Sequence, residues 1–308
     1  MDNKEQRLAL KFDKPDFLVM SGSRLYGTQT IDSDYDYRGF VVPPFEYLAG
    51  LGSFDAHISQ DPDDIVIYSL KKFFQLLIKG DPTVCEILFA PECNISYRND
   101  IGGIILRNKH IFVSKKVARR TRGYAESEWR KVTGTQLLPT KRTPTEDSVI
   151  NDIRSVFKLD KENMDEVIKI MFSNHPREIR SAKRKLGYKR KEQVERYGYC
   201  TSSACHTIRL LGQLIELLDT GTITFPRPNR QLLSSIKHGE IPLESVTEIY
   251  KELCQQAQVS EQTTKIREKP DIKQIEQLYN EIIANQILLD QIPERYRDQC
   301  VNRWLKFS

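Results

Sequence analysis

Apolar and polar positions follow two periods along this chain, and the first half mixes them while the second half holds to one. Phe17-Leu-Val-Met20 is an uninterrupted apolar run that ends in the small residues Ser21, Gly22 and Ser23. Leu25 and Tyr26 suggest a short helical turn next. A second apolar segment starts among the aspartates Asp34 and Asp36 and continues through Phe40-Val41-Val42. Asp64-Ile-Val-Ile-Tyr68 reads as a short strand with an aspartate at its start. Ser69 is placed to cap the following helix, where Leu70, Phe73, Phe74 and Leu77 recur at the spacing of one buried face. Gly80 ends that helix and Asp81-Pro82 begins the next turn, while Val84 to Phe89 is apolar apart from Glu86. Strand, helix, strand, strand, helix is the order of a small mixed sheet covered by helices.

Val132 to Ser148 breaks the pattern with Gly134, Pro139, Pro144 and several threonines, and reads as an exposed linker or long loop. Helical periods dominate after it. Ala204, Ile208, Leu211, Ile215 and Leu218 trace one apolar face, with Gly221 just beyond. Val246, Ile249, Tyr250 and Leu253 trace another, and Ile275, Leu278, Tyr279 and Ile282 a third. Phe225-Pro-Arg-Pro228 is a rigid connector between two of these helices. The expected organisation is a sheet-containing domain over residues 1–135, a linker over 136–148 and a mostly helical domain over 149–308.

Composition narrows the class without changing that outline. At 308 residues and 39% hydrophobic content the chain can form a core, and its length favours two domains. It has no run of eighteen apolar residues, and Met-Asp-Asn-Lys-Glu-Gln-Arg at the start lacks the apolar centre of a signal peptide. Cys85, Cys93, Cys200, Cys205, Cys254 and Cys300 form no Cys-x-x-Cys pair and read as reduced thiols of a cytoplasmic protein, not as a zinc site. The net charge of +5 is unevenly spread. Arg177, Arg180, Lys183, Arg184, Lys185, Lys189, Arg190, Lys191 and Arg196 are opposed only by Glu178, Glu192 and Glu195 between Pro176 and Gly198. A second basic stretch holds Lys115, Lys116, Arg119, Arg120, Arg122, Arg130 and Lys131. Either stretch is a solvated helix face or a contact for a polyanion, which concentrated positive charge attracts by counterion release.

Candidate chemistry gathers between Gly22 and Asp64. On a strand, Asp34 and Asp36 project to the same side. At ~4 Å and an effective dielectric of ~20 two carboxylates repel by ~4 kcal/mol, so the pair calls for a cation, a shared proton or a basic neighbour. Mg2+ (or Mn2+) suits it, because hard cations take carboxylate oxygens and keep positions open for phosphate. If the Gly22-Ser23 turn opens a helix, it offers bare backbone N–H groups to an anion. Metal ligands beside a phosphate cradle point to phosphoryl or nucleotidyl transfer. Glu86, alone in the apolar run from Val84 to Phe89, reads structurally as a buried ion pair with a base.

Gly22-Ser-Arg-Leu-Tyr-Gly27, Asp32-Ser-Asp-Tyr-Asp-Tyr-Arg-Gly39 and Val42-Pro-Pro44 together resemble the signature of the DNA polymerase beta nucleotidyltransferase superfamily. The likeness is closest to its bacterial and phage branch, some members of which are linked to RNA repair. Gly198-Tyr-Cys-Thr-Ser-Ser-Ala-Cys-His-Thr-Ile-Arg-Leu-Leu211 resembles a second signature of that branch. It departs at Cys200 and Ser202, where the branch usually has Asp and Lys.

The resemblance implies an α/β fold of the α+β kind, with a small mixed-sheet polymerase-beta-like domain followed by a mostly helical domain that completes a cleft. It implies Asp34, Asp36 and Asp64 as catalytic and metal-binding carboxylates, Asp64 because the superfamily sets its third at the start or middle of a later strand, with Asp63 its neighbour in register and Glu86, which the branch also tends to carry, the alternative. It implies Gly22, Ser23, Arg24, His206 and Arg209 as nucleotide-binding residues, Arg24 and Arg38 each being able to meet phosphate or to neutralise the aspartates. The partners are a nucleoside triphosphate and a nucleic-acid acceptor, RNA above DNA, with Lys183, Arg184, Lys185, Lys189, Arg190 and Lys191 as its contacts and no membrane. Two other readings stay open: a nucleic-acid-binding or regulatory protein with the same fold and weak catalysis, and a toxin–antitoxin or small-molecule-modifying transferase.

Overall fold

The computed structural model describes residues 14–31, 33–48, 51–59, 63–132 and 188–291. The expected linker over 136–148 and the basic side chains from Lys183 to Lys191 lie outside the described residues.

Five strands form one mixed sheet: β1 (Phe17–Met20), β2 (Asp36–Val41), β3 (Ala56–Ser59), β4 (Asp64–Ser69) and β5 (Ile95–Arg98), in the order β3-β4-β2-β1-β5. Strands β2 and β4 run parallel, and the other three pairings are antiparallel. The three central strands are those the apolar runs predict. The two edge strands are not legible, because Ala56-His-Ile-Ser59 and Ile95-Ser-Tyr-Arg98 are four residues each and half polar. Strand β2 begins at Asp36, so Asp34 precedes the ladder instead of sharing it.

Helix α1 (Gly22–Tyr26) leaves β1, α2 (Phe45–Leu48) follows β2, and α3 (Leu70–Lys79) follows β4. The Ser69 hydroxyl accepts from the Lys72 N–H as an N-cap, and Gly80 closes α3 at φ 78°. Leu70, Phe73, Phe74 and Leu77 are all buried, as their spacing predicts. The apolar stretch after them is helical: α4 (Pro82–Ile87) starts from Asp81, whose side chain accepts from Val84 N–H, with Pro82 in the first turn. Helices α5 (Asp100–Arg107), α6 (Lys115–Trp129), α7 (Tyr188–Tyr197), α8 (Thr201–Thr220), α9 (Arg230–Lys237), α10 (Leu243–Thr263) and α11 (Ile272–Gln291) complete the described elements. None of these helices is long and apolar enough to cross a membrane.

The chain packs as two compact units that do not follow a single cut near residue 135. One comprises Met1–Tyr124, Ile208–Ser234 and Ile249–Ser308, the other Ala125–Thr207 and Ser235–Glu248. The physical reason lies in the core of the first unit. Phe17, Phe40, Phe73 and Phe74 pack in one cluster with Leu217, Phe225, Ile275, Leu278 and Ile282 from far along the chain. Phe74 meets Phe112 edge-on at 5.2 Å and Tyr279 at 5.6 Å. In the second unit Val132, Tyr199, Ala204, Ile236 and Val246 are buried, and the Tyr199 hydroxyl donates to the Ile241 carbonyl at 2.7 Å.

Candidate active site

Apolar strand β1 delivers the chain to a turn packed against the start of β2. The Ser21 N–H donates to the Asp36 carbonyl at 2.7 Å, and the Ser21 hydroxyl to the same oxygen at 3.3 Å. Ser21 stands at the N-cap of α1 but makes no side-chain cap, so no hydroxyl there competes for the first-turn N–H groups. Gly22 has φ +64°, and a Cβ at that position would lie 1.8 Å from Asp36 Oδ2. Only glycine satisfies both the left-handed backbone and the approach to the carboxylate. Gly22→Ala is therefore expected to displace turn and carboxylate together and to lower catalytic turnover by roughly 100-fold or more, with the helical circular dichroism preserved.

Asp36 stands directly opposite Asp64 in the parallel β2–β4 register, so both project to the same face of the sheet. Asp34 is exposed and Asp64 partly so. Burial raises the Asp36 carboxyl above the ordinary aspartate value, the charges of Asp64 and Asp34 raise it further, and Arg38 opposes them. Arg38 Nη2 lies 3.9 Å from Asp64 Oδ2. The two arginines thus separate. Arg38 neutralises the aspartates, whereas Arg24 points elsewhere, donating from Nη2 to the Ser33 carbonyl at 3.0 Å with its guanidinium 3.7 Å over the Tyr35 ring.

An all-oxygen set of three carboxylates, one already burdened by its neighbours, fits a hard divalent cation in donor chemistry. Among the described residues no three His, Cys, Asp or Glu side chains already converge on one metal position. Closing on an ion then requires side-chain rotation, which the exposed Asp34 and part-exposed Asp64 are free to make.

Glu86 is not beside these carboxylates in the hydrogen-bond pattern. It forms the buried ion pair given above as its structural reading. Arg209 Nη1 donates to Glu86 Oε1 at 2.7 Å and to Gln213 Oε1 at 2.7 Å, and the Tyr26 hydroxyl donates to Glu86 Oε2 at 2.7 Å. The Arg209 guanidinium also stacks 3.8 Å over the Tyr26 ring. Burial pushes the Tyr26 phenol far above its usual range, so it stays a donor. This network clamps the last residue of α1, the helix that begins with Gly22 and Ser23. Sequence reasoning gave Tyr26 no role at the site; its signal was a phenol beside Leu25 in the short helical turn directly behind Gly22-Ser23.

His206 and Arg209 share a helix but not an environment. Three residues rotate an α-helix by about 300°, which leaves the two side chains about 60° apart. His206 is exposed and Arg209 buried. Although burial opposes it, Lys131, His206 and the Ser203 hydroxyl together hold the Glu128 carboxyl below its usual value. Cys200 and Ser202 are joined by one residue the sequence did not flag. Gln193 Oε1 accepts from Ser202 N–H at 3.1 Å and from Cys200 Sγ at 3.4 Å, and Gln193 Nε2 donates to Ser202 Oγ at 2.7 Å. Gln193 so caps α8 where Cys200 cannot. The second basic stretch is partly neutralised: Arg119 and Lys115 face Glu268, Arg122 pairs with Glu261 at 3.0 Å, and Lys131 pairs with Glu128.

A model of the RNA repair pathway DNA polymerase beta family, RlaP, matches residues 16–305. A phage T4 protein described as an uncharacterized 38.9 kDa protein in the nrdC-mobD intergenic region is 23% identical over 294 residues, covering 78% of this chain and 87% of that protein. No solved structure matches the chain.

Proposed function

The chain belongs to the RNA repair pathway DNA polymerase beta family, a polymerase-beta-like nucleotidyltransferase group, and on that footing we propose that it moves a nucleoside monophosphate from a nucleoside triphosphate to a hydroxyl on RNA, releasing pyrophosphate. One observation carries the reading: Asp36 lies in register with Asp64, near Asp34, under a glycine turn pressed against its carboxylate. Asp34, Asp36 and Asp64 would hold two magnesium or manganese ions. Bound there, such ions neutralise triphosphate charge and lower the pKa of the attacking hydroxyl.

The remaining roles fall to the chain itself. Gly22 and Ser23 hold the β and γ phosphates through first-turn N–H groups that no side chain caps. Arg38 limits the repulsion between Asp36 and Asp64. Asp64, part-exposed and hydrogen-bond-ready, receives the proton of the acceptor hydroxyl. Arg209 and Glu86 act as positioning residues through Tyr26. The acceptor is drawn to the basic stretch from Lys183 to Lys191.

The test is to incubate the protein with each α-phosphate-labelled nucleoside triphosphate, magnesium or manganese, and RNA, DNA or protein acceptors. Label is expected on RNA, with pyrophosphate released and both lost in Asp34→Ala/Asp36→Ala. Salt-sensitive RNA binding without transfer by any triphosphate would instead support the catalytically weak binding protein.

A further inference from the structure

The loop between α1 and β2 is built around an exposed aromatic ring that the chemistry above does not use. Tyr35 stands between Asp34 and Asp36 and retains 39% of its surface in solvent. Its ring is parallel to that of Tyr37 within 9°, with centroids 6.4 Å apart. The Arg24 guanidinium lies over it, and the same arginine holds the loop through the Ser33 carbonyl. The loop is closed on itself by Thr30 N–H donating to Ser33 Oγ at 2.8 Å and Ser33 N–H to the Thr30 carbonyl at 3.2 Å. Ile31, at the loop's tip, is fully exposed.

The placement follows from strand alternation. Asp36 and Arg38 face the side of the sheet where Phe40 joins the main core. Tyr37 faces the other side, against the small cluster of Leu18, Val41, Ile65 and Ile67. Tyr35 continues that second face outward past the first residue of β2. A ring so exposed adds little to a core, yet it is held rigid, and rigid aromatic surface loses little freedom on stacking with a flat partner. Aromatic residues on a sheet face, and arginine beside them, bind unpaired bases this way, with a sequence tolerance that comes from every base having a π face.

We infer that the part-exposed Arg24 guanidinium, lying flat on Tyr35 with Tyr37 parallel beside it, tops a stacking platform for an unpaired nucleobase of the acceptor strand. The acceptor's reacting end would meet the carboxylate face of β2, and a neighbouring nucleotide would wrap the start of the strand to lie on the guanidinium that Tyr35 supports. The acceptor assignment rests on the nucleotidyl-transfer reading; the stacking itself does not. The platform is tested by binding of a fluorescent single-stranded RNA to the full chain, with chelator present and no triphosphate, so that no turnover enters. Tyr35→Ala should weaken binding by roughly tenfold or more, and Tyr35→Phe should stay within about twofold of the wild type. An RNA with abasic sites should bind the wild type and Tyr35→Ala alike. Triphosphate binding, measured separately with magnesium, should be the same for both. Equal RNA affinity of Tyr35→Ala and the wild type overturns the platform, as does an equal loss on the abasic strand, which would mean a phosphate contact. Loss of triphosphate affinity in Tyr35→Ala would overturn the assignment to the acceptor. If the wild type binds RNA through Tyr35 but transfers nothing, the catalytic reading fails and the platform stands.

Discussion

Asp36→Asn is expected to abolish nucleotidyl transfer, by about 10³-fold or more, and at the same time to make the protein more stable. The carboxylate is the one that Gly22 touches and that Asp64 faces, so its charge is central to any metal-assisted step. That charge is also a burden in the metal-free protein. Burial, Asp64 and Asp34 together raise its folded-state pKa above the unfolded value, so the ionised form is less favourable in the folded protein than in the unfolded one. Relative stability is therefore greatest below the unfolded pKa and is lost as pH rises through the folded pKa. The asparagine variant removes that loss. In chelator its Tm should exceed the wild type's by about 2–4 °C at neutral pH. The gap should close toward acid, where the wild-type carboxyl is protonated. A variant less stable than the wild type at neutral pH would show that Asp36 holds the fold together instead of straining it.

Arg209→Met should cost about 3–5 kcal/mol of stability, because it leaves Glu86 buried without its cation. Both side chains of this pair are 5% exposed, so water cannot take over. Arg209→Met/Glu86→Gln should recover much of that loss, since the amide still accepts from Tyr26 and carries no charge. Denaturant titration of the two single variants and the double variant closes the cycle. Additive losses would mean that the pair is not coupled. Transfer by the double variant, folded but lacking the stack on Tyr26, should remain well below wild type, because α1 loses its rear support.

The strands and helices that carry the carboxylates were readable for a simple reason: their apolar residues recur at uninterrupted periods. Phe17 to Met20, Ile65 to Ile67 and the Leu70–Leu77 face announce themselves by spacing, and all but Met20 are buried. The parallel register that sets Asp36 against Asp64 was not readable, since pairing of two strands depends on the connection between them and not on either segment. Strands β3 and β5 escaped because an edge strand need satisfy only one neighbour and carries polar residues freely. The Tyr26–Glu86–Arg209 network escaped for a related reason. Each member looks ordinary alone, and only the fold brings α1, α4 and α8 together. Arg24 and Arg38 could not be told apart by type, but strand geometry assigns one to the carboxylates and the other to an aromatic ring.

The packing of Phe74 against Tyr279 also bears on how the protein is made. During synthesis the sheet and α3 emerge well before α11, the helix that packs on their apolar side. Contacts of such long sequence separation form slowly, and apolar faces left waiting invite association with other nascent chains. Every residue from Gly22 to Asp64 is in place as sequence early on. The core behind their sheet is complete only when Ile275, Leu278 and Ile282 have joined it. A chain released before α11 is made would carry Asp34, Asp36 and Asp64 without the residues that complete the core behind their sheet.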